Sequence, residues 1–387
     1  MYTREVSFLE LFYDLVYVVV IGRVAHHLAE HLDWRGVRDF VIVFGLIWGA
    51  WLNGTFWHEL HAREDGRSRI YMFLQMGLLA LLAVFAGEAA GKDGSAFAIT
   101  YATLFALFTY QWYLIHRIDD PQYRPTTTRY LVAMLFTVTV VSVSAFVGES
   151  ARSWIWGLLI ILLVVGGLVL MATSQTAGFG EGATRSLVER IGLLTIIVLG
   201  EVVVGVVTGI SEAEEQTART ITTGLLGLTI GMGLWWNYFD MLGRRVPAQR
   251  GIRLAGWLFS HLPITMAIAA GGAAMVSLVE HAAESRTPTG AAWLLSGSVA
   301  LVLVGVTLAV QALAVDEFPP GMARQIAPTF GLAAAVILIL GWVRPAPMVL
   351  VVAVFVVLTL TWLWLFALFL ALGGVPPGMA EKNEPAR

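Results

Sequence analysis

Leu158-Leu-Ile-Ile-Leu-Leu-Val-Val-Gly-Gly-Leu-Val-Leu-Met171 contains no polar side chain. It does not alternate, so it does not read as a strand with one wetted face, and it exceeds the usual length of a buried strand. Continued backwards through Trp154-Ile-Trp156, it makes a helix long enough to cross a hydrocarbon core of roughly 30 Å. Comparable runs recur near 7–31, 37–60, 69–90, 95–116, 128–148, 153–174, 186–210, 218–240, 252–278, 290–315, 323–343 and 346–371. Membrane strands would need alternating segments of roughly ten residues, which these are not. The expectation is an all-α integral membrane protein with about twelve transmembrane helices.

Composition agrees. Lys+Arg is 24 and Asp+Glu is 27 in 387 residues, so 13% of the chain is charged and 58% is hydrophobic. A soluble domain carries roughly 25% charged residues. Such a chain cannot wet the surface of a globule this large, and lipid must be the solvent for most of it. The net charge is −3 with no basic cluster, which excludes nucleic acid as a main partner. The absence of cysteine removes disulfides, thiolate metal sites and cysteine nucleophiles. Glu10 and Asp14 interrupt the first apolar stretch and no small-x-small site follows, so it reads as a span, not a cleaved leader.

Cations in the connections set the expected orientation. The N-terminus, the even-numbered connections and the C-terminus hold 16 Lys and Arg, Arg190 counted among them, against 7 in the odd connections, with Arg23 inside span 1. Both termini of this multi-pass chain are therefore expected in the cytoplasm. The chain also repeats itself. Ser7-x-x-Glu10 opens span 1 and Ser186-x-x-Glu189 opens span 7. Arg69-Ile-Tyr-Met-Phe-Leu74 follows span 2, and Arg253-Leu-Ala-Gly-Trp-Leu258 follows span 8. Span 4 exits through Asp119-Asp-Pro121, span 10 through Asp316-Glu-Phe-Pro319. Two parallel six-helix repeats are expected, over 1–175 and 184–387, joined by a glycine-rich linker at 176–183.

Ionisable residues inside spans are functional candidates, because a charge there is costly unless something compensates it. Glu10 and Asp14 share one face of span 1, and Tyr17 extends that stripe. A capping box from Ser7 is the structural reading of Glu10, but it leaves Asp14, a full turn deeper, without an explanation. Glu201 lies well inside span 7, near Gly200, Gly205 and Gly209, which allow close helix approach. Asn53 in span 2, and Asn237 and Asp240 in span 8, sit among tryptophans that packing and interfacial belts account for. The candidate ligand or ion-binding residues are thus Asp14, Glu10, Tyr17, Glu201, Asn237, Asp240 and Asn53. With an offset of 179, Glu201 corresponds to Gly22, which puts Arg23 at nearly equal depth. A buried Arg23–Glu201 ion pair is expected from this, within a span 1 enclosed by protein.

No metal and no cofactor is assigned from the sequence. His27-x-x-x-His31 has helical ligand spacing, but His58 and His61 fall at the opposite membrane surface, roughly 30 Å away. His58-Glu-Leu-His61 is also one residue short of the zinc-protease spacing. Gly178-x-Gly180-x-Gly182 lacks the preceding strand of a phosphate loop and reads as linker.

Two stretches carry a resemblance, Ser7-Phe-Leu-Glu-Leu-Phe-Tyr-Asp-Leu-Val-Tyr-Val-Val-Val-Ile21 and Glu189-Arg-Ile-Gly-Leu-Leu-Thr-Ile-Ile-Val-Leu-Gly-Glu201. They resemble the signature stretches of the bacterial low-temperature-requirement protein A (LtrA) family. Glu10, Asp14, Glu189, Arg190, Gly200 and Glu201 stand where that pattern has them, whereas Arg23 takes a place that is more often neutral. The resemblance implies a polytopic plasma-membrane protein linked to growth in the cold, without a settled activity.

The leading expectation is a transporter or channel for a small solute or ion, cation- or proton-linked. The alternative is a non-transporting membrane protein with a structural, envelope or cold-stress role, and the third a membrane-embedded enzyme. Expected partners are the lipid bilayer and a small cation, proton or solute; homo-oligomerisation stays open. A transport site needs a water path to its carboxylate, whereas packing charges are sealed and paired.

Overall fold

A computed structural model of the chain describes residues 7–61, 66–118, 120–173, 185–243, 245–247, 251–314 and 317–374. These residues form twelve helices: α1 (Phe8–Glu30), α2 (Trp34–His61), α3 (Gly66–Ala86), α4 (Gly94–His116), α5 (Arg124–Ser144), α6 (Glu149–Thr173), α7 (Arg185–Glu212), α8 (Ala218–Leu242), α9 (Gly251–Glu280), α10 (Thr289–Gln311), α11 (Met322–Val343) and α12 (Pro347–Ala371). An isolated bridge between Pro247 and Leu313 is the extent of β pairing among the described residues. The linker expected at 176–183 lies outside them, as do Asp119 and Asp316 of the expected exit motifs.

Among the described residues, nine helices are long and apolar enough to cross a membrane: α2, α3, α5, α6, α7, α9, α10, α11 and α12. The other three are more polar along their length. α1 holds Glu10, Asp14 and Arg23; α4 ends in Tyr110-Gln-Trp-Tyr113; α8 is rich in threonine and contains Asn237 and Asp240. The apolar helices differ in what they face. On α6, Leu158, Ile161, Leu162, Val165 and Val169 are exposed, as a lipid-facing stripe requires. α9 is the opposite case. Nearly all of its apolar stretch is buried, and Pro263 and Gly271-Gly272 lie within one continuous helix.

Small residues let α9 occupy the centre. A Cβ on Gly205 of α7 would fall inside the carbonyl oxygen of Gly272, and one on Gly209 would come within 2.8 Å of the Val276 carbonyl. The two backbones are therefore in direct contact, the packing that glycine permits between membrane helices. Gly200 has open space around its missing Cβ, so it takes no part in this approach.

The helix neighbours follow a regular order. In the first half α1 packs on α2 and α3, α3 on α4, α4 on α5, α5 on α6, and α2 on α6 and α4. In the second half α7 packs on α8 and α9, α9 on α10, α10 on α11, α11 on α12, and α8 on α12 and α10. The halves meet where α1 and α2 touch α7, and where α9 reaches α1, α2 and α6.

Candidate functional site

α1, α2 and α7 converge on a charged node. Ser7 caps α1 by accepting from the Glu10 backbone N–H at 3.3 Å, which leaves the next turns to present Glu10 and Asp14 on one face. Arg190 enters from α7, fully buried. Its Nη1 donates to Glu10 Oε2 at 3.4 Å and its Nη2 to Asp14 Oδ1 at 3.1 Å. The same Asp14 oxygen accepts from Trp51 Nε1 of α2 at 3.0 Å. One guanidinium thus spans two carboxylates a helical turn apart, a task its planar fork suits and a lysine ammonium does not. Asp14 Oδ2 and Arg190 Nε have no hydrogen-bond partner among the described residues. Asp14 and Arg190 have no exposure and Glu10 almost none.

Tyr13 and Tyr17 continue the buried face of α1, their hydroxyls 3.3 Å apart. Tyr13 also lies against His58 of α2, ring centroids 5.5 Å apart and planes tilted by 55°, and a Cβ on Gly54 would meet its hydroxyl at 2.8 Å. Tyr17 therefore does share the buried face of Asp14 on α1. At the start of α7, the Ser186 hydroxyl donates to Glu59 of α2 at 2.7 Å. The Ser-x-x-Glu openings of α1 and α7 are thus put to different uses.

Glu201 lies about three turns beyond Arg190 on α7. It is 5% exposed, and its carboxylate faces α1 at Gly22, where a Cβ would come within 3.3 Å of Oε1. Gly272 of α9 crowds its backbone carbonyl from the other side. Among the described residues the Glu201 carboxylate forms no hydrogen bond or ion pair. Glu201 and the Glu10–Arg190–Asp14 node both sit on the α1–α7 contact, but they are separate environments. One is paired and sealed; the other is a buried acid with no partner among the described residues.

The expected Arg23–Glu201 pair does not form. Gly22 is the residue turned towards Glu201, and Arg23 follows it roughly 100° further round the helix. That rotation places Arg23 on the exposed stripe of Phe8, Phe12, Leu15 and Val19, with its guanidinium against Gly87 just beyond α3. The long side chain can carry its charge along an apolar face towards water. The same stripe corrects a second expectation: α1 is not enclosed by protein, since one face of it is open.

Three further candidates serve helix contacts elsewhere. Asn53 Oδ1 accepts from Trp112 Nε1 of α4 at 3.4 Å. Asn237 donates through Nδ2 to the Gly233 carbonyl of its own helix and to the Leu358 carbonyl of α12, at 2.8 and 3.2 Å. Asp240 Oδ2 accepts from Trp362 Nε1, also on α12, at 2.6 Å. The structure does not bring these residues to Asp14 or Glu201. The groups the sequence reading missed are Arg190 and Trp51 as partners of Asp14. Arg190 stood in view, five residues into a span and within a signature stretch, but was counted among loop cations.

A cavity of about 410 Å³ opens where α1 and α7 end, against α9 and α10. Glu30, Glu212, Glu280, His26 and His281 line it together with Ser277 and apolar groups. His26 is one turn beyond Gly22, so the cavity approaches the level of Glu201 from that end.

A family model described as bacterial low temperature requirement A protein (LtrA) matches residues 5–383. An uncharacterized protein of Rhizobium meliloti (strain 1021) is 26% identical over 293 residues, 67% of this chain and 66% of that protein. The chain thus spans slightly less than two thirds of that relative's length. No solved structure matches.

Proposed function

This chain belongs to the bacterial low temperature requirement A family, and from that premise we propose that it moves a small cation or proton across the bacterial inner membrane. Glu201 is the membrane-embedded carboxylate that binds it. One observation carries this reading: Glu201 is buried on α7, faces a glycine of α1, and has no hydrogen-bond or ion-pair partner among the described residues. A lone carboxylate in that position costs several kcal/mol if ionised, so it either holds a proton or is neutralised by a bound cation. Both states are what a carrier of protons or cations exchanges. The acidic cavity at the ends of α1 and α7 supplies the approach, since carboxylates around a concave opening concentrate cations.

The remainder of the reading concerns architecture. All twelve helices span the bilayer, and residues 1–175 and 184–387 are parallel six-helix repeats. The matched neighbour order of α1–α6 and α7–α12 supports this. So does the Gly22–Glu201 contact, because the two positions correspond at the offset of 179 and meet where the first helices of the repeats cross. The repeats are not used symmetrically: α9 enters the interface between halves, and α3 makes no comparable contact. The Glu10–Arg190–Asp14 node is paired and sealed, which favours a structural role for that end of the α1–α7 contact. It holds the two first helices together while the Glu201 end is left open to approach.

The function is tested by reconstituting the purified chain into proteoliposomes and screening K⁺, Na⁺ and H⁺ flux against protein-free vesicles. Flux of at least one of these is expected; background flux for all would leave the non-transporting reading in its place. Orientation is tested separately. The chain has no native cysteine, so single cysteines report cleanly. With both termini cytoplasmic, Lys92→Cys and Glu212→Cys are expected to react with a membrane-impermeant maleimide from outside, and Arg245→Cys only after permeabilisation. The opposite labelling pattern would invert the topology.

A further inference from the structure

The last turn of α1 is a second polar centre, independent of Glu201. His27, Glu30 and His31 each offer one ligand atom, and these atoms all lie within 4.8 Å of one another. The two imidazoles are neighbours in an i, i+4 relation, ring centroids 4.4 Å apart and planes at 31°. His31 Nδ1 stands 3.0 Å from the His27 carbonyl oxygen. A carbonyl can only accept, so Nδ1 carries the proton and Nε2 keeps its lone pair for a ligand. A backbone carbonyl holding the distal N–H is the usual way a metal-binding imidazole is oriented. Glu30 is steadied from its other side by His26, Nε2 to Oε1 at 3.4 Å. The centre also sits at a helix C-terminus, where the free carbonyls favour a cation.

The position adds an independent reason. Glu30 and His26 belong at once to this turn and to the lining of the 410 Å³ cavity, which contributes Glu212, Glu280 and His281 beyond them. A cation arriving at the cavity meets the histidine turn at its rim. We propose that His27, Glu30 and His31 form a binding site for a divalent transition-metal ion of the Zn²⁺ class. Two imidazoles and a carboxylate suit Zn²⁺, whereas Mg²⁺ and Ca²⁺ require oxygen ligands throughout. Three protein ligands leave a coordination position to water, so the ion exchanges instead of serving as a closed structural site. This goes beyond the flux reading and does not rest on it, because binding is measured without transport.

The test uses the purified full chain in detergent, with Co²⁺ as the visible-absorbing probe and Zn²⁺ as competitor. A single saturable equivalent of Co²⁺ is expected, displaced by Zn²⁺ and not by excess Mg²⁺. His27→Ala/His31→Ala is expected to abolish that equivalent, and Glu30→Gln, which preserves side-chain shape, to weaken it. His26→Gln should lower affinity about tenfold through loss of the support to Glu30. His281→Ala, in the cavity but outside the trio, should leave the equivalent in place. Unchanged binding in the double variant, displacement by Mg²⁺, or loss in His281→Ala instead would overturn the site. Should the double variant fail to fold, Glu30→Gln decides: unaltered affinity there overturns the proposal equally.

Discussion

Arg190→Met is expected to lower the stability of the protein by about 3–5 kcal/mol, the usual cost of removing one partner from a buried ion pair. The cost arises less from lost attraction than from what remains: an Asp14 carboxylate with no exposure, left without the guanidinium that pairs with it. SDS-induced unfolding in mixed micelles, followed by tryptophan fluorescence, reads the effect. Arg190→Lys should recover only part of it, because Glu10 and Asp14 are reached by different guanidinium nitrogens. The triple variant Glu10→Gln/Asp14→Asn/Arg190→Met removes all the charge and should be more stable than Arg190→Met alone. Asp14→Asn should cost more than Glu10→Gln, since Asp14 also accepts from Trp51 and lies deeper. If Arg190→Met stays within about 1 kcal/mol of the parent, the range of ordinary substitutions, the node does not hold α1 to α7.

Gly205→Val is expected to be as damaging, for a steric reason. The added carbon would occupy the space of the Gly272 carbonyl oxygen, a backbone atom that cannot rotate away. Overpacking against side chains costs roughly 1–3 kcal/mol, and a backbone clash at a helix crossing should reach or exceed the top of that range. Gly200→Ala, five residues earlier on the same helix, meets nothing within 4 Å and should be neutral. Equal behaviour of the two variants in the same unfolding assay would mean that α7 and α9 are not in backbone contact. Because Gly272 also lies against the Glu201 carbonyl, separating these helices would displace the candidate carboxylate as well.

The membrane helices were legible because continuous apolar runs leave no other structure open to a chain this poor in charge. Runs such as Leu158–Met171 need no tertiary information to be recognised, and their helices begin and end within a few residues of the expected positions. The choice of α1 and α7 as the helices that bring charge together was legible too, and so was the near-equal depth of Gly22 and Glu201. The pairing itself was not. Depth along a helix follows from counting residues, but the direction a side chain points depends on how two helices cross. Arg23 had the right depth and the wrong rotation; Arg190 had the right rotation and was placed too near the surface by the same counting. The uses of Asn53, Asn237 and Asp240 were hidden for a similar cause. Each bonds to a tryptophan or a carbonyl on a helix distant in sequence, α4 or α12.

The central claim is that the Glu201 carboxylate, which has no partner among the described residues, carries the transported cation or proton. The most direct measurement is flux through proteoliposomes bearing the parent chain, Glu201→Asp and Glu201→Gln at matched protein density, with folding verified by size-exclusion profile. Glu201→Gln keeps the shape of the side chain and removes its charge and its titration, so flux is predicted to fall to the protein-free background. Glu201→Asp, which keeps the carboxylate but shortens its reach to Gly22, should retain part of the flux. Parent-level flux in correctly folded Glu201→Gln would contradict the account.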